Sequence, residues 1–169
     1  MTDSADQPDF SGVDLVPADS LASRMGIVIT QASAERVVGT MPVAGNTQPY
    51  GLLHGGASCV LAETLGSVGA ALGAGRDRFA VGIEINATHH RSASAGLVTG
   101  VATRVHGGRT LASYEIVLTD ESGRRVCTAR LTCLLRDAVP GSTVPGNTVP
   151  GNTVPGNTVP GDGAGAGRP

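Results

Sequence analysis

The chain has 169 residues and no lysine; all 12 basic residues are arginine, set against 14 acidic ones, for a formal net charge of −2. No basic patch is present, which excludes nucleic acid as a partner, because its phosphates demand clustered cations. Arginine suits phosphate through its planar fork, but a coding bias is the simpler reading of the missing lysine. Cysteine is scarce: Cys59, Cys127 and Cys133 form no CxxC pair and are an odd number. Their apolar or alternating neighbours mark them as small buried hydrophobes. No group of potential ligands has metal spacing, and no glycine-rich nucleotide loop follows a strand, so neither a metal nor an organic cofactor is expected. The acidic segment Met1 to Asp14 has no apolar stretch and does not read as a signal peptide. No apolar run approaches the roughly 20 residues that span a bilayer. The expectation is a cytoplasmic protein with no membrane partner.

What is present organises into three parts: a disordered N-terminus (1–16), one folded domain (17–137) and a disordered tail (138–169). The tail repeats Val-Pro-Gly-Asn-Thr with a five-residue period, and nothing in that unit can build a core. Within the domain, Asp19 to Gly26 suggests a short capped helix closed by glycine. Gly26 to Ala32 and Glu35 to Pro42 read as strands. Residues 54–73 form one long helix, with Leu61, Leu65, Val68 and Leu72 on one stripe. Its glycines (Gly55, Gly56, Gly66, Gly69, Gly73) lower helix propensity and make sense if a sheet wraps closely round it. Four strands follow: Val81 to Arg91 (with Val81, Ile83, Ile85 and Ala87 on one face), Leu97 to His106, Thr110 to Thr119, and Arg124 to Leu135. Short turns between them predict antiparallel pairing. The predicted class is α+β, an antiparallel sheet wrapped round one long central helix.

The densest chemistry lies in Gln48-Pro49-Tyr50-Gly51-Leu52-Leu53-His54-Gly55-Gly56, which delivers two glycines to the start of that helix. Free N–H groups at a helix start can polarise a carbonyl. The helix then carries a single carboxylate, Glu63, among apolar residues, a candidate nucleophile or general base. Ser67 lies four positions on and shares its helix face, so carboxylate and hydroxyl can address one water. Flanked by Val60, Leu61 and Leu65, Glu63 is expected to be buried. Cys59, one turn before it, has no histidine at a predictable spacing to activate it.

This pattern, Gln-Pro-aromatic-Gly before His-Gly-Gly with Glu seven residues beyond the last glycine, together with Val81 to Arg91 and Asp120 to Arg125, resembles the hotdog-fold thioesterases. Within them it is most similar to the group of phenylacetate-pathway, 1,4-dihydroxy-2-naphthoyl-CoA and enterobactin-proofreading thioesterases. The likeness runs from about residue 20 to 136. The resemblance implies that Glu63 attacks the thioester or activates water, and that Gly55 polarises the carbonyl. It further implies that Gln48 and His54 orient the thioester and the helix start, and that Ser67 positions water or the leaving group. His89 would lie near the acyl pocket, where Tyr50 replaces a common phenylalanine. It implies an acyl-CoA substrate and a homodimer with shared sites, usually assembled into a tetramer.

Geometry adds an independent constraint. Gly55 and Glu63 are eight residues apart, roughly 12 Å along one helix, too far for one thioester to touch both in the same chain. If both act on one carbonyl, they come from two subunits across a two-fold axis. For a CoA ligand, Arg91 and Arg109 (after the Gly107-Gly108 turn) are the candidate phosphate partners. A strand edge formed by Gly82 and His89, His90, Arg91 and Ser92 is the candidate for the pantetheine amides. The alternatives are a hydrolase for thioesters on an acyl carrier protein and a non-catalytic acyl-CoA-binding module.

Overall fold

A computed structural model describes residues 15–75 and 77–138. Most of the acidic N-terminus and nearly all of the repeat tail, both expected to be disordered, lie outside the described residues. The described part takes in Leu15 and Val16, which are half-buried, and runs to Ala138, whose N–H donates to the Asp77 carbonyl at 2.8 Å. A one-turn helix, α1 (Leu21–Arg24), is capped by Ser20, whose hydroxyl accepts from the Ser23 N–H at 3.2 Å. Gly26 then turns the chain at φ +70°, as the glycine signal requires.

Six strands follow: β1 (Val28–Ala32), β2 (Arg36–Pro42), β3 (Arg78–His89), β4 (Leu97–Gly107), β5 (Leu111–Thr119) and β6 (Arg125–Asp137). They form one antiparallel sheet in the order β1-β2-β4-β5-β6-β3, curled round α2 (Gly55–Ala74). Leu61 and Leu65 of α2 are fully buried against Val37, Met41, Val98, Ile116 and Leu118 from the concave face. The helix glycines serve that closeness at two positions. A Cβ on Gly66 would stand 2.6 Å from Leu131 Cδ2, and one on Gly69 2.7 Å from the Tyr114 ring.

Three expectations need correction. First, α2 is 20 residues long and apolar enough, by length and composition alone, to cross a membrane. In the fold it is the core helix, its leucine stripe covered by the sheet.

Second, β3 is not the hairpin neighbour of β4. It lies at the sheet edge beside β6, and residues 90–96 cross over to β4. Tertiary pairing overrides the local turn signal at Ser94-Ala95-Gly96. The crossover is anchored at the helix start, where the Leu53 N–H donates to the Ala93 carbonyl at 2.7 Å.

Third, the alternation Val81, Ile83, Ile85, Ala87 does not share one face. Gly82 pairs with Cys133 and Glu84 with Thr132, leaving Ile83 as an extra residue, a β-bulge. Paired residues point to the same side of a sheet. Ala80 and Gly82 therefore face α2 before the bulge, and Ile85, Ala87 and His89 after it. Val81 is 44% exposed and Ile83 55%.

Candidate active site

The segment before α2 is built to hold its start open. Asn46 pins it, donating from its side-chain amide to the Met25 and Pro42 carbonyls at 2.9 Å each. A tight turn runs Gln48 to Gly51, with φ +75° at Gly51. His54 is the N-cap: its Nδ1 accepts from the Gly56 N–H at 2.8 Å. The His54 carbonyl takes the N–H groups of Ala57 at 3.0 Å and Ser58 at 3.3 Å. The Gly55 N–H is the one left over, with no hydrogen-bond partner among the described residues. A helix start leaves its first donors unsatisfied and carries the positive end of the dipole. One donor here is therefore presented to whatever oxygen occupies the adjoining space.

That space is an open cavity of about 370 Å³, lined on its polar side by Gln48, Gly55, Ser58, His89, Arg91 and Ser92. Leu52, Leu53, Ala93 and Val126 supply the apolar side. The His89 ring lies over Gly55, its Nε2 3.0 Å from where a Cβ would stand, so a side chain here would press on that ring. His90 points the other way and meets Thr128 Oγ1 at 3.0 Å on the outer sheet face, though it also borders the cavity. The Arg91 guanidinium has no partner among the described residues.

Glu63 lies in a second cluster. It is exposed, not buried as expected, because it stands roughly 200° round the helix from Leu61. Its carboxylate lies beside the edge strand, 3.2 Å from where a Cβ on Gly82 would stand. The bulge turns Gly82 inward and so leaves room for that carboxylate. Ser67, half-buried on the same face, meets the Cys133 sulfur at 4.0 Å. Burial pushes the Cys133 thiol up, the Ser67 contact opposes this, and the Glu63 charge adds to the rise. Burial likewise raises Cys127 to about 11. Neither buried thiol is primed to ionise.

Within one chain, the sequence-selected residues thus divide. Gln48, Gly55, His89, His90, Arg91 and Ser92 share the cavity. Glu63, Ser67 and Gly82 form the second group, roughly 23 Å along β3 from His89. Gly82 and His89 lie on the same edge strand, β3, but at separate positions along it. Tyr50, expected in the acyl pocket, stands at the tip of the Gln48–Gly51 turn, is 85% exposed and lies off the cavity. The Gly107-Gly108-Arg109 turn lies at the far end of β3, where the Arg109 carbonyl accepts from Arg78 at 2.7 Å. Sequence reasoning missed Ser58, although its spacing of three from Gly55 places it on the same helix face. It also read Cys133 only as core.

His54→Ala should lower stability by about 1 kcal/mol through loss of the cap, and His54→Asn should restore most of it. Urea unfolding of both variants checks this.

Residues 50–127 match the family model of the thioesterase superfamily. The proofreading thioesterase EntH of Klebsiella pneumoniae is 48% identical over 114 residues, covering 67% of this chain and 83% of that protein. Thioesterase HI1161 of Haemophilus influenzae, a solved structure, superposes with a TM-score of 0.69 at 36% identity, covering 71% of this chain and 85% of that one. A mutant of thioesterase PA1618 from Pseudomonas aeruginosa gives a TM-score of 0.66 at 40% identity, with 70% and 87% covered.

Proposed function

The chain belongs to the thioesterase superfamily as a hotdog-fold thioester hydrolase, and from that premise we propose that it cleaves an aryl- or medium-sized acyl-CoA to the free acid and CoA. The observation that carries this reading is the unpartnered Gly55 N–H at the start of α2, inside a cavity that also holds Gln48 and His89. The thioester carbonyl oxygen accepts from that N–H, and Gln48 orients it. The amide dipole stabilises the oxyanion as the tetrahedral centre forms. Glu63 either attacks the carbonyl carbon or takes a proton from an attacking water, with Ser67 beside it to hold that water. Collapse of the tetrahedral centre breaks the C–S bond and releases the CoA thiolate. On the water route this gives the acid directly, with the proton held by Glu63 passing to the thiolate. On the direct route a water then hydrolyses the acyl–Glu63 anhydride to the acid and restores the carboxylate. Arg91, free at the cavity rim, suits the nucleotide phosphates.

The site is completed by a second copy. Two copies related by a two-fold axis along their β3 edges run those strands antiparallel. Each Glu63 then approaches the other copy's Gly55, and each Arg109 turn approaches the other copy's Arg91. The support is the free edge of β3, its exposed Val81 and Ile83, and the separation of the two clusters within one chain. A thioester carried on an acyl carrier protein is the second reading, favoured by the 48% identity to a proofreading thioesterase. The chemistry would be unchanged and only the thiol carrier would differ.

Complementation tests the shared site. Proline is tolerated at the first helical position and deletes the N–H, so Gly55→Pro should be inactive, as should Glu63→Gln. Co-expressed, the two variants should recover about a quarter of wild-type thiol release. Half of the assemblies are mixed, and half of their sites are whole. No recovery would place both residues' work within one chain.

A further inference from the structure

Among the described residues, Ser58 is buried to 2% exposure, and unlike the buried Tyr114 its hydroxyl has no protein partner. A helical serine ordinarily returns its hydroxyl to the carbonyl four residues back. Here that carbonyl belongs to His54 and already accepts two N–H groups, from Ala57 and from Ser58 itself. The Ser58 hydroxyl has no hydrogen-bond partner among the described residues, and none of their side-chain oxygens or nitrogens is both sealed off and unpartnered, so this hydroxyl opens to the cavity it shares with the free Gly55 N–H. A polar group with so little access takes its partner from whatever fills that opening, water or ligand. A hydroxyl left open toward a cavity is therefore a place for a ligand atom.

Its position says which part of the ligand. Ser58 is three residues along α2 from Gly55, roughly 4.5 Å of rise, and helical side chains lean back toward the N-terminus. An acyl group whose carbonyl oxygen rests on the Gly55 N–H carries its β-substituent to about that distance. We propose that Ser58 is a specificity-determining residue whose hydroxyl hydrogen-bonds an oxygen at the β position of the acyl group. The site therefore selects hydroxyacyl or ketoacyl thioesters, including aromatic acyl groups with an ortho hydroxyl. This rests on the thioesterase reading above. An acyl group without that oxygen leaves the serine unsatisfied, and an unpaired buried hydroxyl is what discriminates between close analogues.

Two ester pairs test it: butanoyl-CoA against 3-hydroxybutanoyl-CoA, and benzoyl-CoA against 2-hydroxybenzoyl-CoA, each with wild type and Ser58→Ala. The variant loses no hydrogen bond of the fold and gains helix propensity, so it should fold at least as well as wild type. In at least one pair, wild-type kcat/KM should favour the hydroxylated ester. Ser58→Ala should lower that value roughly tenfold while leaving the plain ester unchanged or faster. Equal losses on both members would place Ser58 on the thioester carbonyl or in the fold, and no loss on either would remove it from the ligand; both overturn the inference alone. A wild-type chain inert on all four esters would defeat the acyl-CoA reading, and this inference with it.

Discussion

Glu63→Gln should abolish thiol release, by roughly a thousandfold or more, while leaving the fold intact. The two halves of that expectation come from different observations. The carboxylate is exposed and makes no hydrogen bond or ion pair among the described residues. Its replacement should therefore shift stability by no more than about 0.5 kcal/mol. The amide is nearly isosteric, so it can still lie beside Gly82. What it loses is the lone-pair basicity needed to attack carbon or to take a proton from water. Initial rates on an acyl-CoA panel, with thermal melts alongside, separate chemistry from folding. A variant that melts normally and turns over normally would remove Glu63 from the mechanism and return attention to the half-buried Cys59 one turn earlier.

Tyr114→Ala should destabilise the fold by roughly 3–5 kcal/mol. Its ring is fully buried under α2, and its hydroxyl donates to the Ala34 carbonyl at 2.6 Å, tying the sheet centre to the β1–β2 turn. Gly69 supplies the space the ring occupies. A double-mutant cycle isolates the pair. Gly69→Ala alone should cost roughly 1–3 kcal/mol of overpacking, partly offset by about 1 kcal/mol of helix propensity. With Tyr114→Ala in place only the propensity gain remains, so the second substitution should then stabilise. The hydroxyl also sets an alkaline limit. Burial raises it from 10.0 to about 12. Because the folded value is the higher one, the associated stability is complete below pH 10.0 and is lost as pH rises toward about 12. In Tyr114→Phe the alkaline decline should be shallower, as denaturant midpoints across that range would show.

What could be read from sequence was whatever depends on short chain separation. The start of α2 at Gly55, the shared helix face of Glu63 and Ser67, and the distance from Gly55 to Glu63 follow from helix geometry. So do the glycines that let Leu131 and Tyr114 approach the helix. The pairing of β3 with β6 was not legible, because a strand's neighbour is chosen by the whole sheet. Nor was the bulge, since Val81-Gly82-Ile83-Glu84-Ile85 alternates without interruption as a string of letters. The exposure of Glu63 failed for a related reason. Sequence neighbours such as Leu61 suggested burial, but helical rotation sends the two side chains in opposite directions. Ser58 escaped notice because a serine in the first turn of a helix looks like ordinary helix-start chemistry. Only the doubly occupied His54 carbonyl shows that its hydroxyl is spare.

The extra residue in β3 also bears on what this molecule avoids. An edge strand of 12 residues carrying exposed valine and isoleucine is a template on which any extended chain could grow, the first step toward fibrous aggregation. Ile83 breaks the regular spacing of that edge and sharpens its local twist. A flat foreign strand laid along it loses register at Gly82. The irregularity therefore makes this edge a poor template for the growth of extended chains.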